Sequence, residues 1–246
     1  MRGTLALCFA LGIGMCASSA RADDPWGSTF RNHLAIALGF GYGTVSGGSY
    51  DNYVQKYNAA QVAGGWNIQG EADPTAELHA SLALTYYAPY YITVRSGAEV
   101  AYFQPTEDGT PPGSNSSQII TNYGGAVMIP ILIGPHISFA GDKLVVELTV
   151  GPTFTAYTSA GLNASSLSDN KQLNGDLAVG VDSELGLRYI VSKSFSVGFE
   201  LGYRSLKSAQ LHENDANTPY VNYTGGPVQI DFSGFRGLID LAILAI

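Results

Sequence analysis

The spacing of its period-two segments constrains this chain more than any other feature. Eight stretches alternate apolar residues with small or polar ones, the pattern of strands with two unlike faces. They lie at about 33–43, 75–87, 92–103, 119–138, 143–157, 175–190, 195–204 and 228–245. The links between them run 31, 4, 15, 4, 17, 4 and 23 residues, long and short in strict alternation. Links of four residues force their flanking strands to be antiparallel neighbours. With every short link on one side and every long link on the other, the spacing predicts an all-β fold. Its form is an eight-stranded antiparallel up-and-down transmembrane β-barrel.

The strands themselves are plain to read. Leu34, Ile36, Leu38, Phe40 and Tyr42 alternate with Ala35, Ala37, Gly39 and Gly41, and Phe195, Val197, Phe199, Leu201 and Tyr203 with Ser196, Gly198, Glu200 and Gly202. The long links have turn and loop compositions, such as Gly47-Gly48, Glu107-Asp108-Gly109, Pro111-Pro112-Gly113 and His212-Glu213-Asn214-Asp215. Pro130 and Pro152 fall inside expected strands, where proline removes a ladder hydrogen bond, a strain that a bulge at each could absorb.

Composition fits a surface that meets lipid. Only 13% of the 246 residues are charged, against about 25% in an ordinary soluble domain. Lys56, Lys143, Lys171, Lys193 and Lys207 all fall in links or at strand ends, where water is available. A net charge of −8 offers no basic face for nucleic acid, and a chain 46% apolar is no disordered tail.

The N-terminus reads as an export signal. Met1-Arg2 is basic, Leu5 to Cys16 is a short apolar run, and Ala20-Arg21-Ala22 is an A-x-A cleavage site. The expected division is a signal peptide over 1–22 and a barrel domain over 23–246. A lipoprotein signal ending at Cys16 is the rival, but Met15 stands where that signal wants a small residue. Cleavage after Ala22 removes Cys8 and Cys16 and leaves no cysteine.

Aromatic residues cluster at both ends of the strands: Tyr42, Tyr102, Phe103, Tyr123, Tyr157 and Tyr203 at the long-loop ends, and Phe30, Tyr86, Tyr87, Tyr90, Tyr91, Phe139, Tyr189 and Phe195 at the short-turn ends. Two such bands are the girdles expected at the two membrane interfaces. If the apolar set faces lipid, the opposite set lines the interior: Glu77, His79, Arg95, Glu99, Glu147, Asp182, Glu184, Arg188, Glu200 and Arg204. Arg236 and Asp240 share one parity, but a bulge expected near Gly234 leaves their face open. Pairs four apart, such as Arg95/Glu99 and Glu200/Arg204, share a face yet stand about 13 Å apart. Their partners must therefore sit on other strands, with hairpin register bringing Glu99 opposite His79 or Ser81 and Arg204 opposite Asp182. An eight-stranded barrel is only wide enough to fill with side chains, so the expected result is an internal polar network that closes it.

With these strands, the hairpin stretch Ile129-Pro130-Ile131-Leu132-Ile133-Gly134 and the ending Asp231-Phe232-Ser233-Gly234-Phe235, the chain resembles the small outer-membrane β-barrel superfamily, OmpA/OmpX-like. The resemblance covers nearly all of 30–246. It implies a bacterial outer-membrane location among lipid and lipopolysaccharide, insertion by the barrel-assembly machinery, and in many members no enzymatic activity. Such barrels usually end in an aromatic residue, whereas this chain ends Leu244-Ala245-Ile246. Some small barrels are lipid A deacylases with an H-x-S pair and a distant carboxylate, and His136-Ile137-Ser138 with Glu147 offers that set. It falls at the short-turn end, away from the leaflet that holds lipid A. His33, His79, His136 and His212 lack metal-ligand spacing, and no cofactor is expected. The expected protein is a monomeric, non-enzymatic barrel with a structural or surface-recognition role. A narrow channel for small or hydrophobic solutes and a lipid A hydrolase are the alternatives.

Overall fold

A computed structural model describes residues 33–69, 76–140, 142–164, 171–213 and 226–245. The expected signal peptide and Phe30 lie outside them.

The eight long strands are β1 (His33–Thr44), β3 (Ala76–Ala88), β4 (Ile92–Phe103), β6 (Gln118–Phe139), β7 (Leu144–Ala164), β9 (Ala178–Ser192), β10 (Phe195–Ser205) and β12 (Gly234–Ala245). Each pairs antiparallel with its neighbours in sequence, and β1 pairs with β12 to close the ring. Closure leaves no open edge within the bilayer, the condition for crossing a membrane with strands. The outward residues of the ring, among them Leu38, Phe40, Leu148, Leu185, Phe199, Ile239 and Leu241, are apolar and exposed. No helix among the described residues is long and apolar enough to cross a membrane. The molecule is an eight-stranded outer-membrane-type β-barrel, and the scarcity of charge marks its lipid-facing belt.

Four departures from the sequence reading have local causes. The first long link contains a helix, α1 (Ser49–Ala63), entered through Gly47 and Gly48 at positive φ. Its buried positions Tyr50, Tyr53, Val54 and Tyr57 have helical spacing, but the polar residues between them mask the apolar face. The long links also hold short strands, β2 (Asn67–Gln69), β5 (Thr106–Thr110), β8 (Lys171–Gly175) and β11 (Leu211–Glu213), which extend the wall beyond the ring. Second, β12 begins at Gly234 rather than 228. Val228, Ile230 and Phe232 still alternate with polar residues, but they turn inward and are buried, their backbone bonding Leu211, Ser208 and Leu206, while the carbonyls of Gln229 and Asp231 between them accept from the Tyr50 and Ser46 amides. Third, register runs unchanged past both prolines. The β4/β6 ladder skips two residues opposite Pro130 and the β6/β7 ladder skips two around Pro152, while the one shift in β6/β7 lies at Val127/Met128. Fourth, two of the expected girdle aromatics face inward: Phe103 and Tyr87 are fully buried. Tyr42, Tyr102, Tyr157 and Tyr203 at one end and Tyr90, Phe139, Tyr189 and Phe195 at the other are exposed.

Candidate functional site

The interior is filled in three tiers. At the long-loop end Tyr50, Tyr53 and Val54 of α1 pack with Phe103, Met128, Leu206, Ile230 and Phe232 in an apolar cluster. The Tyr50 hydroxyl donates to the Gly161 carbonyl at 2.9 Å, and burial pushes it above the usual tyrosine range, so it remains a neutral donor. Asn58 Nδ2 donates to both carboxylate oxygens of Glu107, at 3.0 and 2.8 Å, fixing the outer face of α1 to β5. At the short-turn end Ala35, Ala37, Ala83, Tyr87, Val145, Ala242 and Leu244 form a second apolar cluster.

Between these lies the charged tier. Arg95 of β4 forks onto Glu200 of β10, on the opposite side of the ring, with its second contact at 2.7 Å, and reaches Glu184 at 3.1 Å. Arg236 of β12 bonds Glu99 of β4 at 2.6 and 2.8 Å, Asp182 of β9 at 2.8 Å, and Glu184. Arg204 of β10 donates to Glu77 of β3 at 2.6 Å, to Glu99 at 2.9 Å and to the Phe232 carbonyl at 3.2 Å, joining this tier to the apolar one above. Arg188 reaches Asp240 at 2.7 Å, Ser196 at 3.2 Å and the Tyr87 hydroxyl at 3.0 Å, joining it to the tier below. His79 has Glu99 on Nδ1 and Glu77 on Nε2, each at 2.7 Å. All of these side chains are buried.

Each of these four arginines thus bonds carboxylates of other strands, as the 13 Å spacing along a strand requires. The planar fork of the guanidinium suits it to bridging two or three carboxylates across a narrow lumen. Glycines make the room. A Cβ on Gly198 would lie 2.0 Å from Asp240 Oδ2, and one on Gly43 would lie 2.6 Å from His79 Nε2. A cavity beside Gly97 and Pro130, reaching Arg95, Glu99 and Glu184, holds about 10 Å³, room for one water at most.

All ten residues expected at the interior are placed inside the ring, and nine make the contacts given above. Glu147 is the tenth, 3% exposed, and neither of its oxygens has a hydrogen-bond partner among the described residues. Ser81, not His79, stands opposite Glu99, and Arg204 stands opposite Asp182. Arg236, the most connected cation of the network, and Asp240 belong to it as well. β12 pairs with β1 and β10 without a register shift, so the bulge that left their face open is absent. Tyr87 and Ser196 gave no signal beyond their parity.

The H-x-S set is partly assembled. His136 and Glu147 are cross-strand partners, and His136 Nδ1 lies 3.0 Å from Thr93 Oγ1. The Ser138 hydroxyl donates to Asp142 in the short turn at 2.6 Å. Among the described residues no group of three or more His, Cys, Asp or Glu is arranged to hold a metal ion.

No protein-family model and no curated protein matches the chain. Among solved structures it is similar to the outer membrane protein OprG from Pseudomonas aeruginosa, 12% identical over 87% of this chain and 96% of that one, with a TM-score of 0.48. It is similar also to Ail, the attachment invasion locus protein of Yersinia pestis, 10% identical over 88% and 100%, TM-score 0.40. A third is the outer membrane protease OmpT from Escherichia coli, 10% identical over 88% and 96%, TM-score 0.35.

Proposed function

We propose that the protein is a closed, non-enzymatic outer-membrane barrel that works as a structural element and as a rigid platform for surface recognition. The observation that carries this reading is the Arg95–Glu200 fork across the full width of the ring, with a cavity of about one water's volume beside Arg95. A permeant ion would have to break buried, hydrogen-bonded charge pairs, each of which is strongly unfavourable to separate. Platform character follows from the long-loop end, where β2, β5, β8 and β11 continue the sheet and α1 is held by Tyr50 and Asn58. Loops carried on a rigid scaffold are where barrels vary their function.

Single-channel recording in a planar bilayer tests this. The reading predicts a flat baseline at neutral pH, and steady openings would contradict it. Mass spectra of lipid A from cells with and without the protein test the absence of hydrolase chemistry at His136 and Ser138. Identical spectra are expected, and a lost acyl chain would contradict it.

A further inference from the structure

The lipid-facing wall dips at Ser183. This small residue faces outward from β9, opposite Tyr203 of β10 in the ladder, and its hydroxyl donates to the Tyr203 carbonyl at 3.2 Å. The outward residues around it are large, so a groove of about 320 Å³ remains, bounded by Leu148, Leu185, Leu201, Tyr203 and Phe235. It accommodates a stretch of hydrocarbon chain and excludes a helix, which is about 10 Å across. The Tyr203 and Phe235 rings meet edge to face over its long-loop end, centroids 4.9 Å apart.

Height places the groove in the outer leaflet. Ser183 stands six residues above Tyr189 in β9, which is about 20 Å along the strand and roughly 15 Å of height at the usual tilt, in a belt about 25 Å tall. The alternation of β10 continues past its end, so Tyr203, Ser205 and Lys207 face outward while Arg204, Leu206 and Ser208 are buried. The Lys207 side chain is 68% exposed, and Asp231 at 3.5 Å meets one of its three donors. Moving outward along one strand, the wall therefore presents an apolar groove, an aromatic pair, a hydroxyl and an ammonium.

We propose that this column binds an anionic, phosphate-bearing lipid of the outer leaflet, with one acyl chain in the groove at Ser183 and the phosphate at Lys207. The groove lies in the belt that lipid already covers, and the order of surfaces matches chain, interface and head group. Chain burial supplies the affinity, and the ammonium supplies preference for an anion over a zwitterion. The site is on the outer wall and does not depend on whether the interior conducts.

The test is native mass spectrometry of the protein extracted in mild detergent from vesicles of phosphatidylcholine mixed with phosphatidylglycerol. The wild type should retain one phosphatidylglycerol in preference to phosphatidylcholine. Ser183→Phe, which fills the groove with a side chain the belt tolerates, should lose retained lipid of both kinds. Lys207→Gln should still retain a lipid but without preference. Heat-dependent gel mobility checks that each variant is folded. A folded Ser183→Phe that retains phosphatidylglycerol as the wild type does overturns the site. So does a wild-type dimer that this substitution converts to monomer, which would make the groove a contact between copies.

Discussion

Arg236 and Glu147 are opposite cases of a buried charge. Arg236 reaches Glu99, Asp182 and Glu184 at once, so Arg236→Leu leaves Asp182 without its guanidinium and takes one cation from Glu99 and Glu184, and should destabilise the barrel by about 3–5 kcal/mol, the range for breaking a buried pair. Glu147 accepts no hydrogen bond among the described residues. The tier also carries seven carboxylates (Glu77, Glu99, Glu147, Asp182, Glu184, Glu200, Asp240) against four guanidiniums and one imidazole. Glu147→Gln should therefore change stability by less than about 1 kcal/mol. Urea titration in lipid vesicles measures both, and equal losses would show that the network is not what holds these charges. Parity alone made the inward positions legible in the sequence, because a strand's faces alternate without exception while the ladder is regular. It could not give the pairing. That depends on which strands stand across the lumen, a property of the closed ring, and the face of Arg236 is ambiguous in the sequence only because Gly234 beside it suits a bulge.

At the scale of elements, the short-turn hairpins were legible and the contents of the long links were not. A four-residue link between alternating segments has one solution, whereas a link of 31 residues between Gly43 and Thr75 is free to fold on itself. α1 forms there because the lumen mouth buries its four apolar positions. Its stability comes from that packing more than from its own sequence, as is usual for a short helix. Val228, Ile230 and Phe232 deceived for the same reason: an extended segment lying in a lumen alternates like one lying in a wall. Tyr53→Ala should remove several kcal/mol of packing and release α1, so that trypsin cuts at Lys56, which the wild type should resist. Because the charged tier lies beneath, the cut protein should still show no conductance. An uncut variant, or one that conducts, would contradict this layered closure.

For the whole molecule, the low charge density that sets this chain apart is a matter of where charge is placed. Its outward face is largely apolar, its water-facing ends carry lysines and loop carboxylates such as Asp108 and Asp176, and the charges of the middle tier, Glu147 excepted, are folded inside and paired across the ring. A sealed interior is the claim on which the rest stands, and chemical access to it is the most direct measurement. The chain beyond Cys16 has no cysteine, so in protein expressed without residues 1–22 one introduced at Thr85 is unique. Thr85 is fully buried on the inward face of β3, opposite Arg95 in the ladder. With a bulky, membrane-impermeant maleimide applied to both sides of a vesicle, Thr85→Cys should stay unmodified while Asn115→Cys, exposed in a long loop, reacts to completion. Thr85→Cys should react only after unfolding in urea. Labelling of the folded protein at a rate near that of Asn115→Cys would mean that the lumen is open to water.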